Sequence, residues 1–89
     1  MTSSKYDKLR ELFEENNFPM VYPFKFIIVK DEKKIIRIRR IFDETAEISM
    51  RDSKNGKYLS ITIKQMMLNT DDIINRYLLM EEIEGVISL

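Results

Sequence analysis

The sequence predicts an α+β fold: a ferredoxin-like β-α-β-β-α-β sandwich, with a four-stranded antiparallel sheet in the order 4-1-3-2 and two helices on one face. Three observations predict it. Residues 48–63 form two alternating runs around Asn55-Gly56, the strongest short-range hairpin signal. An amphipathic helical pattern lies on each side of that hairpin. A strand-like apolar run precedes the first of these helices and another ends the chain, which completes the split βαβ order.

An extra amphipathic helix is expected before this domain, so the chain divides into residues 1–17 and a ferredoxin-like domain of residues 18–89. Ser4 and Asp7 resemble a capping box at the start of the helix, and Pro19 prevents its continuation. Its apolar stripe is Tyr6, Leu9, Leu12 and Phe13. Because a helix this short is marginal alone, we expect the stripe to dock on the uncovered sheet face or on a second protomer.

The first strand is predicted from Val21 to Lys30. One of its two alternate sets contains Lys25, so we expect that set to face away from the main core. The inward set is Phe24, Phe26 and Ile28, and the outward set is Lys25, Ile27 and Val29. Asp31-Glu32 then opens a helix that runs to about Asp43, with acids at its positive end. Its buried stripe is predicted to be Ile35, Ile38, Ile41 and Phe42.

The register of the central hairpin follows if the turn has two residues, with Asn55 and Gly56 both at φ > 0. Met50 then faces Ile61, and Glu47 opposes Lys64 as an opposite-charge pair. The same register places Lys54 opposite Lys57, Ser53 opposite Tyr58, Asp52 opposite Leu59 and Ile48 opposite Ile63. The apolar face, expected in the core, is Ile48, Met50, Leu59, Ile61 and Ile63. The polar face is Ser49, Arg51, Ser53, Tyr58, Ser60 and Thr62.

Gln65 to Leu68 is expected to be an apolar connection that leads into the last helix. Asn69 or Thr70 caps this helix, because both side chains can accept a hydrogen bond from the first turn. Its buried stripe is predicted to be Ile73, Ile74, Tyr77, Leu78 and Met80, with Leu79 on the polar side. Glu84-Gly85 ends the helix, and residues 86–89 form a short final strand.

Composition excludes several classes of function. The chain has no cysteine and no histidine, so a thiolate metal site and the commonest general base are both absent. We therefore predict a non-enzymatic protein without catalytic residues, metal or cofactor. Lys and Arg together number 15, as do Asp and Glu, so no global field attracts nucleic acid or a membrane surface. No apolar run reaches the ~20 residues of a membrane span and no signal peptide is visible, so we expect a cytoplasmic protein.

The candidate contact residues lie on the polar face of the hairpin and at its tip. They are Arg51, Lys54, Lys57, Tyr58, Ser60 and Thr62. On the uncovered sheet face they would join outward apolar residues of the first strand, and such a mixed surface is typical of a contact. The tip has a second explanation, since the turn needs Asn-Gly and the lysines discourage edge-to-edge pairing.

A second charged feature is the basic run of the middle helix. Lys33, Arg37 and Arg40 share one stripe, which would suit phosphate or an acidic partner. We favour a solvated helix back, because net charge is zero and Glu44 lies within reach of Arg40. The same order of elements also builds the RNA-recognition fold, but the Gly- and aromatic-rich signature of that fold is missing.

The stretch Ser53-Lys54-Asn55-Gly56-Lys57-Tyr58, followed by Ser60 to Ile63, resembles the YbeD-like family of small bacterial proteins, a domain of unknown function. Phe18-Pro19 and the closing Ile83-Glu84-Gly85-Val86 also fit, over roughly residues 18–89. The resemblance implies a ferredoxin-like fold, an α-β plait, similar to the small-molecule-sensing regulatory domains attached to amino-acid enzymes. It implies no mechanism and does not extend to the N-terminal helix.

These observations favour a regulatory or adaptor domain that acts by protein–protein contact, with an unknown protein partner or as a homodimer. The alternative is a small-ligand sensor like the amino-acid-binding regulatory domains that the family resembles. RNA binding ranks below both.

Overall fold

A computed structural model of the chain describes residues 6–13 and 17–89. Three helices and four strands follow in the order α1 (Asp7–Leu12), β1 (Met20–Val29), α2 (Glu32–Ile41), β2 (Glu47–Asp52), β3 (Tyr58–Met67), α3 (Thr70–Glu81) and β4 (Ile87–Ser88). The helix starts follow from the sequence: the Asp31 carboxylate accepts from Lys33 N, and the Asn69 side chain accepts from Asp72 N. The predicted capping box at Ser4 lies outside the described residues.

The sheet is antiparallel throughout and has the strand order β2-β3-β1-β4, which is the predicted 4-1-3-2 viewed from the other edge. The long central pair joins Met20–Val29 to Tyr58–Met67 without interruption. β3 therefore continues to Met67, and the prediction that residues 65–68 form a connection is wrong. The prediction failed because the polar Gln65 interrupts the apolar alternation in the sequence. In the folded chain Gln65 occupies a core position and is 96% buried.

The predicted register of the β2–β3 ladder is confirmed, from Glu47 opposite Lys64 to Asp52 opposite Leu59. The predicted turn is wrong. Only Gly56 has a positive φ, of 72°, and Asn55 does not. Ser53 N donates to Tyr58 O, so four residues, from Lys54 to Lys57, connect the strands and the two lysines form no ladder pair. The register is unchanged because both loops are centred on Asn55-Gly56, so the four-residue loop loses only the Lys54–Lys57 pair.

The core lies between one sheet face and helices α2 and α3. Phe24, Phe26 and Ile28 point into it, as predicted, and the ring of Phe24 lies 5.1 Å from Phe42 at the end of α2 and 5.3 Å from Tyr77 on α3. One residue of the predicted α3 stripe is misplaced. Leu78 is 48% exposed, whereas Leu79 is half-buried, because α3 turns its Ile73, Tyr77 and Met80 line toward the sheet.

Helix α1 packs on the helix layer, so the predicted docking on the uncovered sheet face is wrong. The Tyr6 ring stacks on Tyr77 at 5.7 Å and its hydroxyl donates to Glu81, while Arg10 forms an ion pair with Asp71 at 2.5 Å. Leu12, the fourth member of the predicted stripe, is 72% exposed. The surface of α3 and β1 offers Tyr77 and Tyr22 as ring partners, whereas the two central strands present one ring, that of Tyr58, on the other face.

Candidate functional site: the open sheet face

The sheet face opposite the helices is the surface on which the sequence places most of its candidate residues. It is formed by alternate residues, from Val21 to Val29 in β1, from Tyr58 to Met66 in β3 and from Glu47 to Arg51 in β2, together with Ile87 of β4. Their side chains are exposed or half-buried, while the intervening residues of β1 and β3 are mostly buried. We call this surface the open face.

A compact group of hydrogen-bonding side chains lies at the centre of the β2–β3 half of the open face. Ser49 is directly opposite Thr62, and Arg51 is directly opposite Ser60. These four residues, which we call the polar block, line a shallow depression of about 300 Å³ together with Met50. The depression is built by the ladder itself, because neighbouring strands lie only about 4.8 Å apart.

An apolar area adjoins the polar block toward β1 and β4. We call it the apolar end, and its members are Ile27, Val29, Tyr58 and Ile87. Val29 is opposite Tyr58, and Ile27 lies between Ser60 and Ile87 in the two registers. Ile27 and Tyr58 also line a second depression of about 200 Å³, which shares Arg51 and Ser60 with the first. The polar block and the apolar end are therefore one continuous surface.

The open face is positively charged although the whole chain is neutral. It carries Lys25, Arg51 and Lys64 against a single acid, Glu47, which the register places opposite Lys64. Asp52 belongs to the alternate set of β2 and forms its ion pair with Lys30, at 2.8 Å. Within residues 6–13 and 17–89, neither Arg51 nor Lys25 takes part in an ion pair.

The structure separates the six predicted contact residues into two groups. Arg51, Tyr58, Ser60 and Thr62 share the open face, whereas Lys54 and Lys57 lie in the loop at its end. Lys57 returns toward the sheet, and its Nζ lies 5.4 Å from the centre of the Tyr58 ring.

The loop itself has a local structural function. Asn55 Oδ1 accepts hydrogen bonds from Lys57 N and from Ser53 Oγ, both at 3.0 Å. These bonds satisfy backbone and side-chain donors that the tight connection would otherwise leave to solvent. Asn55 and Gly56 are thus explained by the turn, and Lys54 lines neither depression on the open face.

Several residues of this surface were not predicted. Val21 and Met66 are opposite each other and are both about half exposed, which makes a second apolar spot at the far end of the central strands. This spot was missed because residues 65–68 were predicted to form a connection and not the end of β3. The one available signal was the alternation of Ile61, Ile63 and Met67, which continues through Gln65. Val86, just before β4, packs against the core, and Ile87 of β4 faces outward.

The basic run of α2 lies on the helix layer, away from the open face. Arg37 and Arg40 line a shallow depression that also contains Glu82, so an acid is already present there. Arg40 and Glu44, which the sequence places within reach of each other, form no ion pair in the described part of the chain. The solvated interpretation of this helix back stays a prediction.

The open face offers hydrogen-bond donors, a guanidinium and apolar contact, which is the chemistry of binding. The groups with clearly displaced pKa lie elsewhere. Burial, and then the hydrogen bond to Tyr22, raises the pKa of Tyr77, and hydrogen bonds from Thr45 lower the pKa of Asp43. In the described ranges no three acids gather as they would around a metal ion, and no helix there is long and apolar enough to cross a bilayer.

Comparison with known proteins gives one match. A family model described as "Protein of unknown function (DUF493)" matches residues 14–89, so the resemblance seen in the sequence is confirmed. Helix α1 lies before the matched residues. No curated protein and no solved structure matches the chain.

Proposed function

The chain belongs to this family of unknown function, DUF493, and we propose that it is a non-enzymatic adaptor or regulatory domain that contacts a protein partner through its open face. One observation carries the proposal: an exposed apolar end adjoins an arginine-containing polar block on the same sheet face. Protein interfaces combine an apolar centre with a polar rim and are enriched in tyrosine and arginine.

The exposure of the apolar end supports contact with a partner over simple solvation. Ile87 is 56% exposed, and Val29 and Tyr58 are each at least 40% exposed, side by side in the register. Scattered exposed apolar residues need no explanation, but a contiguous group marks a contact surface. The two helices of a ferredoxin-like arrangement cover only one sheet face, which leaves the other available for such a contact.

A different protein is favoured over a second copy as the partner. The open face has three cations and one acid, so two copies placed face to face would bring like charges together. An acidic partner would meet the same face with complementary charge. RNA gains no support, because Phe24 and Phe26 are buried in the core and leave Tyr58 as the one outward aromatic of the two central strands.

A small-ligand sensor is the second candidate. The depression that contains Arg51, Ser60 and Thr62 favours it, since it gathers a cation and hydroxyl groups in one place. In either case we place the protein in the cytoplasm.

The proposal is tested with a matched pair of variants. Ile87→Glu places a charge on the open face, and Ile36→Glu places the same charge on α2, where Ile36 is 49% exposed. A partner is first isolated with the wild-type chain, purified, and its affinity measured by calorimetry. We expect Ile87→Glu to weaken binding at least ~10-fold and Ile36→Glu to leave it unchanged, because about 1.4 kcal/mol of lost interface energy is tenfold in affinity.

Thermal melts establish that both variants fold before affinities are compared. Loss of binding in Ile36→Glu with retention in Ile87→Glu would move the contact to the helix layer and contradict the proposal. Equal binding by both variants would remove the open face from the interface as well.

A further inference from the structure

We propose that the polar block is an oxyanion-binding site that takes a carboxylate or phosphate group attached to an apolar body. The inference rests on the proposed function, because it assigns the chemistry that the open face recognises. It goes further in naming Arg51 as the residue that fixes the ligand and in giving the apolar end a defined role in the same site.

The register brings the donors together without any adjustment of the backbone. Arg51 and Ser60 are one cross-strand pair, Ser49 and Thr62 are the next pair along on the same face, and Lys25 lies opposite Thr62 on the other side. Directly opposed side chains in a sheet have Cβ atoms about 5 Å apart. One small anion above Ser60 and Thr62 is therefore within reach of both cations.

These donors have no partners within the described chain. No ion pair involves Arg51 or Lys25, and no side-chain hydrogen bond involves Ser49, Ser60 or Thr62. The nearest acid in sequence, Asp52, is paired with Lys30. A guanidinium offers five N–H donors in a planar fork that matches a carboxylate or phosphate, so the free donor set fits an oxyanion in number and in geometry.

The surroundings of the polar block define the rest of the ligand. The second depression shares Arg51 and Ser60 with the first and continues over Ile27 and Tyr58. Asp52 also lines it, but its carboxylate is paired with Lys30. A ligand that fills both places its anionic group on Arg51 and an aromatic or aliphatic body on the apolar end. A free inorganic anion would use only half of this surface.

The other cationic surfaces lack this combination. On α2, Arg37 and Arg40 share their depression with Glu82, which competes for them. At the hairpin tip, Lys57 lies against the Tyr58 ring, and Lys54 lines neither depression on the open face. Among the described residues, the polar block alone joins an arginine without an ion pair, three hydroxyls and an apolar neighbour.

The test is a titration of the full chain, uniformly labelled with ¹⁵N, with two isosteric probes followed by amide chemical shifts. The first probe is phenylacetate, and the second is phenylacetamide, which has the same body without charge. We expect saturable shifts at Ser49, Arg51, Ser60 and Thr62 with phenylacetate and at least ~10-fold weaker binding of phenylacetamide. Inorganic phosphate should shift the same amides with weaker affinity, because it lacks the apolar body.

Variants of matched charge localise the site. Arg51→Gln should weaken phenylacetate binding at least ~10-fold, Arg51→Lys should restore only part of it, and Arg39→Gln, an exposed arginine on α2, should bind as the wild type does. The amide spectrum of each variant reports whether it folds. Equal binding of the two probes, undiminished binding by Arg51→Gln, or no saturable shift at these amides would each overturn the inference.

A second arm identifies the source of the oxyanion, using the partner isolated above. If an acidic side chain of the partner supplies it, phenylacetate competes with the partner and Arg51→Gln weakens both. If a free metabolite supplies it, Arg51→Gln loses phenylacetate but keeps the partner. Partner binding that Ile87→Glu abolishes, with no oxyanion binding at all, overturns this inference and leaves the proposed function standing. Oxyanion binding with a partner that ignores the open face does the reverse.

Discussion

The two faces of the sheet are made from alternate residues of the same strands, yet they differ in almost every physical respect. On the helix-covered face Phe24, Phe26 and Ile61 are fully buried, and the ring of Phe24 packs against those of Phe26 and Phe42. On the open face their neighbours Lys25, Ile27 and Ser60 meet solvent. Burial accounts for the residue types on the first face, with the exception of the buried Gln65. It does not account for the second, where Arg51 forms no ion pair with any described residue and lines the same depression as Ile27.

Because of this difference, we expect stability to depend on the helix-covered face and binding to depend on the open face. Replacements on the helix-covered face should change the free energy of unfolding and say little about binding. Replacements on the open face should change binding and leave the free energy of unfolding nearly unchanged.

Replacement of Phe24 should show how strongly the helix-covered face contributes to the free energy of unfolding. Phe24→Ala removes a completely buried ring that contacts Phe42 and Tyr77, and we expect a loss of roughly 3–5 kcal/mol in the free energy of unfolding. Val29→Ala, on the open face of the same strand, should cost about 0.5 kcal/mol or less. Urea unfolding measures both. Similar losses would mean that the open face is also covered.

Replacement of Tyr6 tests whether α1 belongs to the helix layer. Tyr6→Ala removes the stacking on Tyr77 and the hydrogen bond to Glu81, with an expected loss of about 2 kcal/mol. Leu12→Ala is the control, since Leu12 is mostly exposed, and should be close to neutral. A neutral Tyr6→Ala would release α1 from this position and reopen the open face as its docking site.

A substitution in the hairpin loop can strain the backbone without changing a side chain on either face of the sheet. At Gly56 the backbone has φ +72°, and an added Cβ would meet no atom within 4 Å. Gly56→Ala should therefore cost about 1–2 kcal/mol through backbone conformation alone. Lys54→Ala in the same loop should change stability little. Amide spectra should place the shifts at the loop; changes throughout β2 and β3 would indicate a slipped register instead.

Ionisation of Tyr77 should leave the free energy of unfolding unchanged near neutral pH and lower it in alkali. Burial, and then the hydrogen bond to Tyr22, raises the pKa of Tyr77, while in the unfolded chain that pKa is about 10. The unfolded state therefore ionises first, and stability should fall as the pH rises above about 10. Below that pH both states keep the proton, and this group adds no pH dependence.

Tyr77→Phe should remove this part of the alkaline loss. At pH 7 it should cost about 1 kcal/mol or less, for the lost bond to Tyr22. Thermal melts between pH 8 and 11 compare the two chains. Parallel curves over the whole range would show that Tyr77 ionises equally in both states.

Much of the candidate site could be predicted from the hairpin alone. Once Asn55-Gly56 fixes the position of the turn, strand alternation places Arg51, Ser60 and Thr62 on one face, whichever loop conformation the turn adopts. The adjacency of Lys25 and Ile27 to these residues depends on the β1–β3 register, which pairs residues 29 to 47 positions apart. No local pattern encodes that pairing.

Period and nearest neighbours along the chain were enough to predict the strand alternation, the start of α2 near Asp31-Glu32 and of α3 at Asn69 or Thr70, and Phe24, Phe26 and Ile28 as core. Only the tertiary structure decided that α1 packs on α3, that β3 extends through the buried Gln65, and that Leu78 faces outward. Each of these depends on which surface another element offers, and a short stripe or a single polar residue does not specify that surface.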